Sequence, residues 1–131
     1  MADLEEIVKD HISKDGQILS LKAKFIRELG AKKLAECELL ADVRSLDLSQ
    51  NDIGDDGVKA IAESPYLVNL RNLNLKSNSI TDIGAEYLAN SSVLKNLRSL
   101  QLVVNDISEK GEKVLINSKK LVSLTSLKFR V

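Results

Sequence analysis

Apolar residues in this chain recur in phase over long distances instead of gathering in local runs. Val43, Leu70, Leu97 and Leu124 stand 27 positions apart, and Leu46, Leu73, Leu100 and Leu127 keep the same step. So do Leu48, Leu75, Leu102 and Phe129, the trio Ile53, Ile80 and Ile107, the trio Ile61, Leu88 and Leu115, and the trio Leu67, Leu94 and Leu121. Two non-apolar columns share the register: Asn51, Asn78 and Asn105, then Gly57, Gly84 and Gly111. Columns in phase over this many positions mark an internal repeat, one supersecondary unit stacked on copies of itself.

Each unit predicts a strand, a turn and a helix. Arg44-Ser45-Leu46-Asp47-Leu48 alternates polar and apolar residues, the period of a half-buried strand. The asparagine then turns the chain inward. A buried amide left unpaired costs roughly 1–3 kcal/mol, so this column is expected to be fully bonded, in part from coil to coil. Gly54, Thr81 and Ser108 are followed by Asp55, Asp82 and Glu109. Cap-forming residues before an acidic first turn predict helix starts, which also accounts for the Asp55-Asp56 pair. The glycine column is expected to let each helix backbone approach the sheet. Helices of about two turns are predicted over 57–64 and 84–90.

One period upstream lies a weaker copy. Leu19, Leu21, Ile26, Gly30, Leu34 and Leu40 fall in the columns, but Gly16 and Lys24 replace the leucine and the asparagine. Before it, Leu4, Ile7, Val8, His11 and Ile12 recur at helical spacing and predict an amphipathic lid over about 3–14. The organisation read from this is a capping segment over 1–15 and a solenoid over 16–131. The solenoid divides into a degenerate coil (16–42), three full coils (43–123) and a final strand (124–131).

The pattern Leu-x-x-Leu-x-Leu-x-x-Asn-x-Ile-x-x-x-Gly resembles the ribonuclease-inhibitor-like class of leucine-rich repeats, closely over 43–131 and loosely over 16–42. The resemblance implies an α/β fold: a right-handed solenoid with a parallel β-sheet on its concave side and helices on its convex side. It also implies that ligands bind the concave sheet and its adjoining loops. Similar repeats serve ribonuclease inhibition, GTPase activation and innate immune recognition, so fold alone leaves the function open.

Charge sharpens the picture slightly. The 19 basic and 19 acidic residues balance, which gives no general attraction to nucleic acid or to an anionic membrane. The balance hides a gradient: residues 1–93 hold 11 Lys/Arg against 16 Asp/Glu, and residues 94–131 hold 8 against 3. A single cysteine, Cys37, excludes a disulfide within the chain and fits a reducing compartment. The N-terminal residues lack the basic-then-apolar form of a signal peptide, so a cytoplasmic location is expected, with leaderless export outside what such features report.

Strand alternation places the candidate partner-binding residues on the concave face: Asp47, Ser49, Asn72, Asn74, Lys76, Ser99, Gln101, Val103 and Lys128. They are mostly small or amide side chains, poor in the aromatic anchors of tight interfaces. Val103 and Val104 replace polar pairs of the other coils and predict an apolar spot at the lip. Arg44, Arg71 and Arg98 form a ladder at the strand starts, which could clamp acidic groups or pair with acids nearby, the second being the simpler reading. A further expectation is an open core end at Leu121, Leu124, Leu127 and Phe129. A second copy could bury it, giving a homo-oligomer, unless Lys128 and Arg130 act as charged guards of that edge.

Catalysis is not indicated. General acid–base and nucleophilic chemistry need convergent groups, yet the only histidine is His11 on the lid and the only cysteine is Cys37 in the degenerate coil. No Cys/His set has zinc-ligand spacing, and the glycines fall one per coil and form no phosphate loop, so no cofactor is expected. The leading expectation is a non-catalytic module that binds another protein. The alternatives are a self-associating scaffold built through the C-terminal edge and, from the resemblance alone, a GTPase regulator.

Overall fold

The computed structural model describes residues 3–131; Met1 and Ala2, which the sequence places in the capping segment, lie outside the described residues. Five three-residue strands form one parallel sheet in chain order: β1 (Ile18–Ser20), β2 (Ser45–Asp47), β3 (Asn72–Asn74), β4 (Ser99–Gln101) and β5 (Ser126–Lys128). Their register reproduces the sequence period, with Leu19, Leu46, Leu73, Leu100 and Leu127 side by side across the sheet. A one-residue slip would turn each leucine out to solvent, so burial of this column fixes the pairing.

Helices α2 (Arg27–Leu34), α3 (Gly54–Glu63), α4 (Asp82–Ala89) and α5 (Glu109–Ile116) alternate with the strands and pack against one another in sequence. The core lies between them and the sheet. Leu48, Leu75 and Leu102 from the strand ends meet Ile61, Leu88 and Leu115 from the helices, all buried. Helix α1 (Leu4–His11) lies against α2 and β1 and buries Val8. Ile12 then bridges antiparallel to Leu19. At the other end Leu124, Leu127 and Phe129 are only partly buried.

The asparagine column is fully bonded, and each member reaches back one coil. The Asn78 side chain accepts from the N–H groups of Asn51 and Ile53 (3.1 and 3.2 Å) and donates to the carbonyls of Leu48 and Lys76 (2.8 and 3.2 Å). Asn51 bonds Lys24, Ile26 and Leu21 in the same way, and Asn105 bonds Asn78, Ile80 and Leu75. Lys24 is therefore no defect. The first coil has no coil behind it for an asparagine to serve, and its own backbone donors are satisfied by Asn51.

Asp55, Asp82 and Glu109 stand in the first turns of their own helices, as expected. Asp55 also reaches forward: its carboxylate accepts from the Thr81 N–H (2.8 Å), the Thr81 hydroxyl (2.6 Å) and the Gly84 N–H (3.1 Å) of the next coil. Asp82 does the same for Ser108. The Asp55 bonds hold the turn before Gly84, and α4 begins at Asp82, before the predicted position 84; α3 also begins early, at Gly54 and not 57. The glycine column is corrected as well. A Cβ on Gly84 would come within 2.5 Å of Asp55 Oδ1 and 2.6 Å of Ile80 Cγ2. At Gly84 and Gly111 the close approach is thus to the preceding coil's carboxylate and the helix's own turn, and at Gly57 to Ile53 and Ala31, not to the sheet.

A serine column escaped the sequence reading. Ser64, Ser91 and Ser118 each donate a 2.6 Å bond to a helix-end carbonyl of the coil before, on Ala35, Ala62 and Ala89. Cys37 stands one period before Ser64. The lone thiol is that column's member in the first coil, an ordinary structural position.

Candidate partner-binding face

Side chains flanking the buried leucine of each strand project from the sheet face opposite the helices. Asp47, Asn72, Asn74, Ser99 and Gln101 come together there, with Ile18, Ser20 and Ser45, in one shallow cleft of about 400 Å³. Three of them are held by their own backbone. Asp47 Oδ1 accepts from the Ser49 N–H and hydroxyl (2.8 and 2.6 Å), Asn74 Oδ1 from the Lys76 N–H (3.0 Å), and Gln101 Oε1 from the Val103 N–H (3.0 Å). Asn72 Nδ2 crosses to Ser45 Oγ at 3.0 Å. The face is consequently ordered before any partner arrives, with the second carboxylate oxygen of Asp47 and the amide donors of Asn74 and Gln101 left for a ligand.

Two of the expected contact residues are elsewhere. Ser49 is 2% exposed and Val103 4%, so neither presents a surface. The strands stop at Asp47 and Gln101, and strand alternation stops with them. Gln50 and Val104, the next residues along, adopt left-handed backbone (φ 58° and 59°). The apolar spot expected from Val103 and Val104 reduces to Val104, 60% exposed. Lys76 is half-buried at the lip outside the cleft, and Lys128 is exposed on β5 in register with Gln101. Arg130, expected as a charged guard, turns instead to Glu112 on α5, with Nη2 2.5 Å from its carboxylate.

The arginine ladder is also resolved. Among the described residues the ion pairs are Lys9–Glu5, Lys32–Glu28, Lys113–Glu109 and Arg130–Glu112, so Arg44, Arg71 and Arg98 pair with no acid. The three line a small cleft of about 210 Å³ with Asn69, Asn96 and Ser123. Asn69 and Asn96 are fixed by donating to the carbonyls of Ala41 and Val68 in the coil before (2.9 and 2.8 Å). Arg44 beside it, then desolvation and Arg98, push the Arg71 guanidinium below its ordinary pKa. A period of 27 in Asn69 and Asn96 was visible in the sequence and would have marked this rim.

His11 and Cys37 do not form a reactive pair on one cavity. His11 is exposed, with Nδ1 2.8 Å from the Ile7 carbonyl oxygen. Cys37 lines an acidic recess between α1 and the end of α2 that contains no histidine. Among the described residues no group of three His, Cys, Asp or Glu side chains converges as metal ligands, and no helix is long and apolar enough to cross a membrane.

Comparison with known proteins agrees with this geometry. The leucine-rich repeat family model matches residues 41–62 and 66–89, which span α3 with its strand β2 and α4 with its strand β3. A search of curated proteins finds no match to the chain. With five stacked strands in 27-residue register, the chain has the architecture of a leucine-rich-repeat solenoid. Repeats of this family are generally protein-interaction modules and typically non-catalytic.

Proposed function

We propose that the chain is a non-catalytic module that holds a protein partner against the open face of its sheet, through Asp47, Asn72, Asn74, Ser99 and Gln101. The observation that carries this reading is the pinning of Asp47, Asn74 and Gln101 by their own backbone N–H groups. Side chains already ordered lose less freedom on binding, and each immobilised side chain otherwise costs about 0.5–1.5 kcal/mol. With no aromatic residue among them, these side chains offer hydrogen-bond specificity more than deep apolar burial.

The test compares the wild type with a folded Asn74→Arg, Gln101→Arg variant as baits in cells of the source. A partner held by the wild type and lost by the variant supports the reading. Equal retention by both moves the contact away from this face.

A further inference from the structure

We propose that Arg44, Arg71 and Arg98 form a carboxylate clamp that docks an acidic segment of a partner protein on the strand-start rim of the sheet. The proposal rests on the protein-binding reading for the class of its partner, but it uses none of the open-face cleft residues.

Backbone hydrogen bonding locks the three arginines into adjacent positions. The Arg71 N–H donates to the Arg44 carbonyl (2.8 Å) and the Arg98 N–H to the Arg71 carbonyl (2.7 Å). Neighbouring strands lie about 4.7–4.9 Å apart, and like charges placed side by side on a sheet destabilise it. The ladder is repulsive, and none of the ion pairs among the described residues includes it. Asp15 is coupled to Arg44, but Arg44 is the least of the causes that hold the Asp15 carboxyl below its usual range, after Ser13 and backbone N–H groups. The ladder is not a by-product of basic composition either, since Arg44 and Arg71 belong to the net-acidic part of the chain.

An external anion supplies what the fold omits. Guanidinium forks match carboxylates in two parallel hydrogen bonds. The cleft, at about 210 Å³, is below the roughly 300–1,000 Å³ of small-molecule sites but admits side-chain carboxylates. Residues three or four apart on a helix have Cβ atoms about 5–6 Å from one another, close to the step of the ladder. A phosphodiester backbone is a poorer fit, because it calls for a broad basic surface and this cleft holds three arginines with uncharged neighbours.

The experiment measures binding of a fluorescein-labelled octaglutamate peptide at low salt. Expected results are binding by the wild type, about tenfold or greater weakening in Arg71→Glu, and intermediate weakening in Arg71→Lys, which keeps the charge without the fork. The Asn74→Arg, Gln101→Arg variant should bind the peptide at least as well as the wild type. Arg71→Gln should melt at a higher temperature than the wild type, because relief of repulsion raises stability as binding is lost. Equal peptide binding by wild type and Arg71→Glu overturns the clamp and leaves the open-face reading standing. A duplex oligonucleotide or inorganic phosphate bound as tightly as the peptide overturns the assignment to an acidic segment.

Discussion

Asn78 shows how much one side chain carries here. It is fully buried and makes four bonds to backbone groups of two coils. In Asn78→Ala the N–H groups of Asn51 and Ile53 lose their acceptor where water does not reach, while the Leu48 carbonyl keeps Asn51 Nδ2. At roughly 1–3 kcal/mol for each unsatisfied buried group, urea unfolding should report a loss of about 3 kcal/mol or more. Val104 is the opposite case. It is a β-branched residue held at φ 59°, in the column where Gln50 and Ser77 adopt the same left-handed conformation. That conformation costs an L-residue about 1–2 kcal/mol, and asparagine tolerates it better. Val104→Asn should therefore stabilise the fold by about 1 kcal/mol, read as a higher denaturation midpoint with an unchanged slope. An unchanged or lower midpoint would mean that the exposed valine packs more favourably than its backbone suggests.

Among the elements, the helices depend on their neighbours for their starts. Thr81 caps α4 by accepting from the Ile83 N–H, and Asp55 of the coil before fixes Thr81 in place. Asp82 plays the same part for α5. The Ser108 hydroxyl first, then the Ser108 and Gly111 N–H groups, hold the Asp82 carboxyl below its usual pKa. A carboxyl with a depressed pKa in the folded state binds its proton more readily when unfolded. Its contribution is complete above the unfolded pKa near 4 and is lost as pH falls through the lower folded value. Stability should be level above about pH 5 and decline below about pH 4. The Asp82→Asn variant, already without the charge, should show a shallower decline when unfolding is followed from pH 6 to pH 2. Identical slopes would place the acid sensitivity elsewhere. The forward reach of these acids was not visible in the sequence, for a physical reason. A cap residue before an acid looks the same whether the acid serves its own helix or the next, and only the stacking distance between coils decides.

For the whole molecule, the repeat was legible because burial of identical columns is a long-range constraint written at a fixed step. The strand register, the order of the sheet and the asparagine bonding all follow from that step of 27. The surface was less legible. Alternation located Asp47, Asn72, Asn74, Ser99 and Gln101 on one cleft, because those residues lie in strands. It failed at Ser49 and Val103, two residues past the strands, where both side chains are buried. The unpaired state of the arginines could not be read at all, since the sequence lists acids nearby without saying which ones a three-residue strand can bring within reach.

The backward reach of the asparagines also gives the fold a direction in time. A turn in this solenoid is closed by the residue 27 positions after its own place in the column, as Asn78 closes the turn at Asn51. On a chain made from its N-terminus, each newly formed coil keeps open backbone donors until the following one has emerged and laid its asparagine over them. The growing solenoid thus carries a single unfinished turn that moves along with synthesis, and a ribosome stalled between coils would expose that turn to whatever chaperone or strand is at hand.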